Sequence, residues 1–295
     1  MSRREFRDRL GDGSVIVADG ATGSLLMERG LEPGAAPETL NLERPEVVSE
    51  VTRLYAEAGA ELVHTNTFGA SPLKLAGYGL EDRVDDINRR AVEAARDAAG
   101  DRAYVSASVG PSGRILEPYG DTAAVELRRS FHRQLEALLE AGVDAITVET
   151  MTDHNEATLA VRAARELSED IPVLATMTFD ATPRGFHTIM GTDVRGAASG
   201  LLTAGADVVG SNCGNGSETM VEVARAFREA TDAPLLIQPN AGAPQLVDGE
   251  VVYPETPEFM AEQARLLAEA GVLIIGGCCG TTPEHIRAVR ESVGT

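Results

Sequence analysis

Tryptophan is absent from the 295 residues, and aromatic side chains make up only 4%. A chain of this length buries a large core, so that core must be built from Ala, Val, Leu and Ile. Lysine occurs once, at Lys74, against 25 arginines. With 46 acidic and 26 basic residues the formal net charge is −20. Such a charge repels nucleic acid and anionic membrane surfaces, which excludes both as expected partners. The acid excess and the scarcity of lysine suit a high-salt or GC-rich source, a statement about solubility rather than chemistry. No apolar run approaches the roughly 18 residues of a membrane span. The N-terminus MSRREFRDRLGDG is polar and charged, so no signal peptide is expected either. The expected location is the cytoplasm, where thiols stay reduced. Cysteine is scarce too: there are three, an odd number that argues against a disulfide framework.

What is present is a repeating unit. Eight short β-rich runs cover 15–20, 61–68, 103–111, 145–151, 172–179, 207–213, 234–240 and 273–279. Each begins apolar and ends in small or polar residues. The segments between them, such as PEVVSEVTRLYAEAG and TPEFMAEQARLLAEAG, repeat apolar residues at i, i+3, i+4 and i+7, the spacing of one helix face. A weak internal repeat, EAGAE, EAGVD, TAGAD and EAGV, recurs at 57–61, 140–144, 203–207 and 269–272. It places glycine at a helix C-terminus ahead of every second strand. No Pro/Ser-rich linker interrupts the series. Eight strand–helix units predict a single α/β domain over 1–295, a (β/α)8 TIM barrel. A doubly wound sheet, which normally uses fewer strands, is the alternative.

Barrels of this kind carry their active sites at the C-terminal ends of the strands. Along that rim the first run ends in Asp19-Gly20, the second in Thr65-Asn66-Thr67-Phe68 and the fourth in Glu149-Thr150. The sixth ends in Asn212-Cys213, the seventh in Pro239-Asn240 and the eighth in Cys278-Cys279. All three cysteines therefore fall on strands six and eight, which one neighbour separates. Cys213 alone would read as a small buried hydrophobe. The adjacent pair in GGCCG would not. Successive strand residues point to opposite faces, so both sulfurs share a target only if the backbone turns there, and Gly276, Gly277 and Gly280 permit the turn. Three thiolates with one open position predict a catalytic zinc site on Cys213, Cys278 and Cys279. A threonine of TTPEH is expected to cap the next helix, with Glu284 closing a capping box on Thr281. The histidines, His64 among them, are expected in core, capping or surface roles.

Zinc held by three thiolates carries a net negative charge. That suits it poorly for making hydroxide and well for keeping a fourth sulfur ionised. A free thiol of pKa about 8.5 is only a few per cent thiolate at neutral pH, whereas a metal-bound thiol is deprotonated outright. The predicted chemistry is alkyl transfer to a substrate thiol. Glu149 or Asp19 would pair with the ammonium group of an amino-acid substrate, and backbone N–H groups from Gly20 to Gly23 would take its carboxylate. The plainer readings make Asp19 a turn residue and Glu149 a structural carboxylate with a partner.

Together DGATG, TNTFGAS, SVGPSG, VETM, SNCG, QPNAG and GGCCGTTPEHI resemble the homocysteine S-methyltransferase family, in the same order and over about 15–289. Within that family the strand-end motifs are most similar to the homocysteine-binding module of cobalamin-dependent methionine synthases. The betaine- and S-methylmethionine-dependent branches look more distant. The resemblance implies a zinc-dependent barrel enzyme that methylates homocysteine to methionine, with Zn2+ on Cys213, Cys278 and Cys279. It implies homocysteine contacts at Asp19, Gly20, Thr65, Asn66, Thr67 and Glu149, and Asn240 closing the fourth zinc position at rest. It also implies that the folate, cobalamin and reactivation modules are missing here. The methyl group would then come from methylcobalamin on a separate corrinoid protein, or from a betaine or sulfonium compound. A reading of another class makes the chain a thiol-binding subunit that is inert outside a multi-protein corrinoid complex. Oligomerisation is compatible with each. The loop over 179–193 receives no substrate from the sequence.

Overall fold

The computed structural model describes residues 5–32, 34–247 and 250–294. The eight expected runs form parallel strands: β1 (Ile16–Val17), β2 (Leu62–His64), β3 (Tyr104–Val109), β4 (Ala145–Met151), β5 (Val173–Met177), β6 (Val208–Gly216), β7 (Leu235–Asn240) and β8 (Ile274–Ile275). They are ordered β1-β8-β7-β6-β5-β4-β3-β2 in one sheet. A parallel bridge between Ala18 and Leu62 closes β1 onto β2, with the Asp19 N–H donating to Leu62 O at 2.9 Å. This is the (β/α)8 barrel: each strand pairs with its neighbours in the chain, and helices connect them on the outside. Among the described residues, no helix is long and apolar enough to cross a membrane.

Strand alternation separates the apolar side chains into two layers. Ile16, Ala18, Leu62, Ala145, Leu174, Val208, Leu236 and Ile274 face each other inside the barrel. Val17, Val63, Val105, Ile146, Val173 and Val209 belong to the larger cluster beneath the helices. The charged N-terminus contributes a short helix, Phe6–Leu10, whose buried Phe6 joins the interior cluster and packs on Tyr104 with ring centroids 4.9 Å apart.

The internal repeat builds the opposite rim from the cysteines. Gly59, Gly142, Gly205 and Gly271 all have positive φ, between 82° and 112°, and each ends a helix. The acids that follow tie the strand starts together. Asp144 accepts the Val105 N–H and the Arg96 guanidinium, both at 2.7 Å. Asp207 accepts the Val173 N–H at 2.8 Å and pairs with Arg165.

Three local features differ from expectation. Antiparallel hairpins, Asp180–Thr182 with Gly185–His187 and Gln245–Val247 with Glu250–Val252, rise after β5 and β7. The first occupies the loop over 179–193. The helix Pro283–Val293 is capped by Thr282, whose box partner is His285 rather than Glu284. Thr281 is drawn away into the cysteine turn: its hydroxyl donates to Cys278 O at 2.7 Å and accepts the Ala21 N–H at 3.1 Å. That bond joins the turn after β1 to the turn after β8.

Candidate functional site

The sulfurs of Cys213, Cys278 and Cys279 lie within 4.8 Å of one another. Cys213 and Cys279 approach to 3.8 Å across 66 residues of sequence. Two backbone devices bring them together. Cys213 is left-handed, with φ 61°, and Gly214 follows at φ 76°. The register of β6 against β7 slips between Asn212 and Gly216, so the strand end curls over the barrel mouth. On the other side the turn after β8 is pinned by main-chain bonds: Gly277 N–H to Asp19 O at 2.8 Å, Cys278 N–H to Pro239 O at 2.7 Å and Ala241 N–H to Cys279 O at 3.0 Å. Gly280 has φ 79°, and a Cβ there would sit 2.0 Å from the Tyr253 ring. The three sulfurs share protons unequally. Hydrogen bonds from Cys213 and Cys278 hold Cys279 down to about 3, and hydrogen bonding to Cys213 and Cys279, together with burial, pushes Cys278 well up. Burial, together with the cysteines, raises the neighbouring Tyr253 hydroxyl to about 12. Three soft donors converging at one point, one of them readily ionised, can hold a thiophilic metal ion.

A cavity of about 410 Å³ opens over the cysteines. Of the residues singled out from sequence, Asp19, Gly20, Thr65, Asn66, Glu149 and the three cysteines line it; Thr67 and Asn240 do not. Thr67 is fully buried, pairs with the Thr65 hydroxyl at 2.6 Å and donates to Ser108 O at 2.7 Å. Asn66 lines the cavity, but its amide is committed to Pro37 O at 2.8 Å and Asn41 Oδ1 at 2.9 Å. Those two residues brace the rim. Asn240 is buried at the end of β7, and its amide oxygen has no hydrogen-bond partner.

The carboxylates are held differently. Asp19 is 2% exposed, and His64 engages both its oxygens: the main-chain N–H reaches Oδ2 at 2.7 Å and Nδ1 meets Oδ1 at 2.6 Å. The far ring nitrogen lies 3.1 Å from the Thr147 hydroxyl. Burial opposes a charge on His64, but Asp19 and Glu149 outweigh it and push the imidazole up to about 9. Glu149 accepts from the Ser108 hydroxyl at 2.5 Å on one oxygen, and on the other only a long 3.5 Å contact from Asn212. Burial raises its pKa, against the pull of the His64 charge and the Ser108 bond. His64 and Asn212 were not recognised from sequence as part of the site. A signal for His64 existed: Val63 faces the helices, so alternation turns its neighbour into the barrel mouth, across from Asp19.

Comparison with known proteins agrees with this geometry. The family described as homocysteine S-methyltransferase matches residues 16–293. A methionine synthase of Mycobacterium leprae is 35% identical over 298 residues, covering 95% of this chain and 24% of its own length. That of Mycobacterium tuberculosis is 36% identical with the same coverage. The chain thus spans about a quarter of the length of these relatives. Among solved structures, the metallated form of the homocysteine methyltransferase MmuM from Escherichia coli superposes with a TM-score of 0.80 at 25% identity. The match covers 97% of this chain and 99% of that one. The oxidized form of MmuM gives a TM-score of 0.79 at 26% identity.

Proposed function

The chain belongs to the homocysteine S-methyltransferase family, and from that premise we propose that it methylates homocysteine to methionine, acting as one barrel domain over 1–295. The observation that carries the reading is the convergence of three sulfurs below a cavity whose walls present carboxylates and a glycine-rich turn. Cys213, Cys278 and Cys279 would hold zinc, which when bound supplies the positive charge that keeps the substrate thiol ionised.

The chain's own residues would then orient the amino acid. The carboxylates at the cavity wall receive its ammonium group. Gly20 and the turn through Gly23 face its carboxylate with main-chain amides; Ala21 N–H is already given to Thr281. The thiol proton leaves on binding. The thiolate sulfur forms its bond to the methyl carbon as the bond from methyl to donor breaks, so catalysis rests on position rather than on an acid or base. The donor in this reading is a methyl-corrinoid protein on another chain. The strand-end motifs support it, as does an exposed apolar rim of Met27, Phe68 and Tyr78 at the cavity mouth. A second reading, a betaine or sulfonium donor taken up directly, needs no further chain: this chain covers 99% of MmuM, itself named a homocysteine methyltransferase. A cytoplasmic location fits this reading, because that compartment keeps thiols reduced and free to hold a metal.

The test is an assay of zinc-loaded protein with homocysteine and each donor in turn: free methylcobalamin, a betaine and S-methylmethionine. Methionine formed from methylcobalamin supports the first reading, and methionine formed from a small onium donor supports the second. Homocysteine binding without turnover points to a subunit of a larger complex, and failure to bind homocysteine overturns the proposal.

A further inference from the structure

We propose that His64 is a built-in counter-cation for the amino-acid end of the cavity: it occupies Asp19 and so leaves Glu149 as the carboxylate that receives the substrate ammonium. This rests on the homocysteine reading above and assigns, within it, a positioning residue and a division of labour between two acids.

The geometry supports each half. His64 meets both oxygens of Asp19, one through its main chain and one through its ring. The far nitrogen faces Thr147, whose hydroxyl also pairs with the Ser106 hydroxyl at 2.7 Å. Thr147 can therefore accept from the ring while donating to Ser106, and the chain Asp19, His64, Thr147, Ser106 has a consistent proton arrangement with both ring nitrogens protonated. Glu149 keeps a full hydrogen bond on only one oxygen. Its other oxygen retains capacity toward the cavity that it lines.

Charge counting explains why a cation is needed. The ionisable groups around the two acids are His64 on β2, Cys213 on β6, the buried Tyr55 hydroxyl beside Asp19, and, across the cavity, Cys278, Cys279 and Tyr253. Lys74 and Glu38 also line the cavity, beside Gly69. No arginine does among the described residues. The charge of Asp19 adds to the burial that raises Glu149, since like charges disfavour ionisation. An imidazolium fixed on Asp19 removes that conflict. Glu149 is then favoured in the ionised form that can receive the substrate ammonium. The charge of His64 is the strongest influence opposing the burial that raises Glu149.

The experiment compares homocysteine with its des-amino analogue 4-mercaptobutanoate, which keeps the thiol and the carboxylate. Calorimetry on the metal-loaded full chain measures both affinities from pH 6 to pH 8. Thiol ionisation cancels in their ratio, which reports recognition of the ammonium alone. For the wild type the ratio stays flat. For His64→Gln it falls about tenfold toward pH 6, as a proton on Glu149, no longer opposed by the imidazolium, must be displaced. Adding Asp19→Asn to His64→Gln restores the flat profile. A flat ratio in His64→Gln overturns the proposal. So does a double variant that keeps the slope or loses its preference for homocysteine, because Asp19 would then touch the ammonium itself. Should His64→Gln not fold, NMR of labelled histidine in the wild type decides: an imidazole that is neutral at pH 7 overturns the proposal, and one protonated through pH 8 supports it. A wild type that binds neither thiol refutes the homocysteine reading instead, and the NMR result still stands for His64.

Discussion

Asn212 accepts the main-chain N–H of Thr150 on its side-chain oxygen at 2.7 Å, and its amide donates to the Thr150 hydroxyl at 2.7 Å. This pair joins two strained points. Among the described residues, Thr150 and Cys213 are the non-glycine residues with positive φ, at 58° and 61°. One follows Glu149 and the other follows Asn212. Left-handed conformations outside glycine cost on the order of 1–3 kcal/mol and persist only where their surroundings over-determine them. Here Asn212 supplies that determination. It is fully buried and also receives the Thr176 hydroxyl at 2.7 Å. The carboxylate that faces the cavity and the first of the three sulfurs are thus held by one amide.

Replacing Asn212 by alanine would leave the Thr150 N–H and the Thr176 hydroxyl without their acceptor. The expected cost is about 1–3 kcal/mol, the penalty of an unsatisfied buried group. Urea unfolding should show it, and metal affinity should fall in the same variant because Cys213 loses its brace. An unchanged unfolding midpoint would mean that Asn212 does not hold the two strand ends.

Glu149→Gln removes the charge from the proposed ammonium partner and keeps its shape. Homocysteine binding should weaken by about 1.5–3 kcal/mol, the worth of a hydrogen bond to a charged group. Zinc content should stay at the wild-type level, since Glu149 is not a ligand in this arrangement. Calorimetry and metal analysis on one preparation measure both. Unchanged affinity would assign the ammonium elsewhere.

His64 gives a pH signature to stability. Its folded pKa, about 9, lies above the ordinary imidazole value of 6.5. The stabilisation is therefore fully present below pH 6.5 and is lost as pH rises through 9. Converted at 1.36 kcal/mol per unit, the loss is on the order of 3 kcal/mol. His64→Gln lacks this contribution. Above pH 8, clear of the range where the variant's carboxylates take up a proton, denaturant unfolding of the wild type should therefore fall further with rising pH than the variant's. Parallel profiles would show that the imidazole is neutral in the fold.

The barrel was legible because its information is local. Eight apolar runs, amphipathic spacing and glycine at helix ends need no knowledge of contacts. The sulfur cluster was legible for the same reason once the strands were counted, since strand ends share one rim. What could not be read was direction and partnership. Thr67 sits in the same strand-end motif as Thr65, yet it turns into the rim, and Asn66 at the cavity wall has its amide tied up, which only the bonds to Ser108, Pro37 and Asn41 reveal. Phe6 lies in a charged five-residue helix too short for a periodic signal. His64 and Asp19 are 45 residues apart and meet only when β1 closes on β2. Thr281 and Thr282 are chemically alike, and which of them caps the helix depends on a carbonyl at Cys278 that the chain order does not announce.

The last prediction concerns the cysteines themselves. Protein purified under reducing conditions should carry about one zinc per chain, with three sulfur neighbours at Zn–S close to 2.3 Å by X-ray absorption. Homocysteine should raise the sulfur count to four. It should also release close to one proton per site at pH 7, because a free thiol is mostly protonated there and a metal-bound one is not. Calorimetry in two buffers of different ionisation enthalpy reads that proton directly. Alanine at Cys279 should abolish both signals. Cys279 meets Cys213 at 3.8 Å in the cluster, and two thiolates alone neither retain the ion nor complete the shell. The fold should survive the change, because Cys279 is only partly buried and its main-chain carbonyl, not its side chain, holds Ala241. Circular dichroism on the same variant separates loss of metal from loss of structure. A shell that stays at three sulfurs under saturating homocysteine, with no proton released, would make the metal structural and the substrate something other than a thiol.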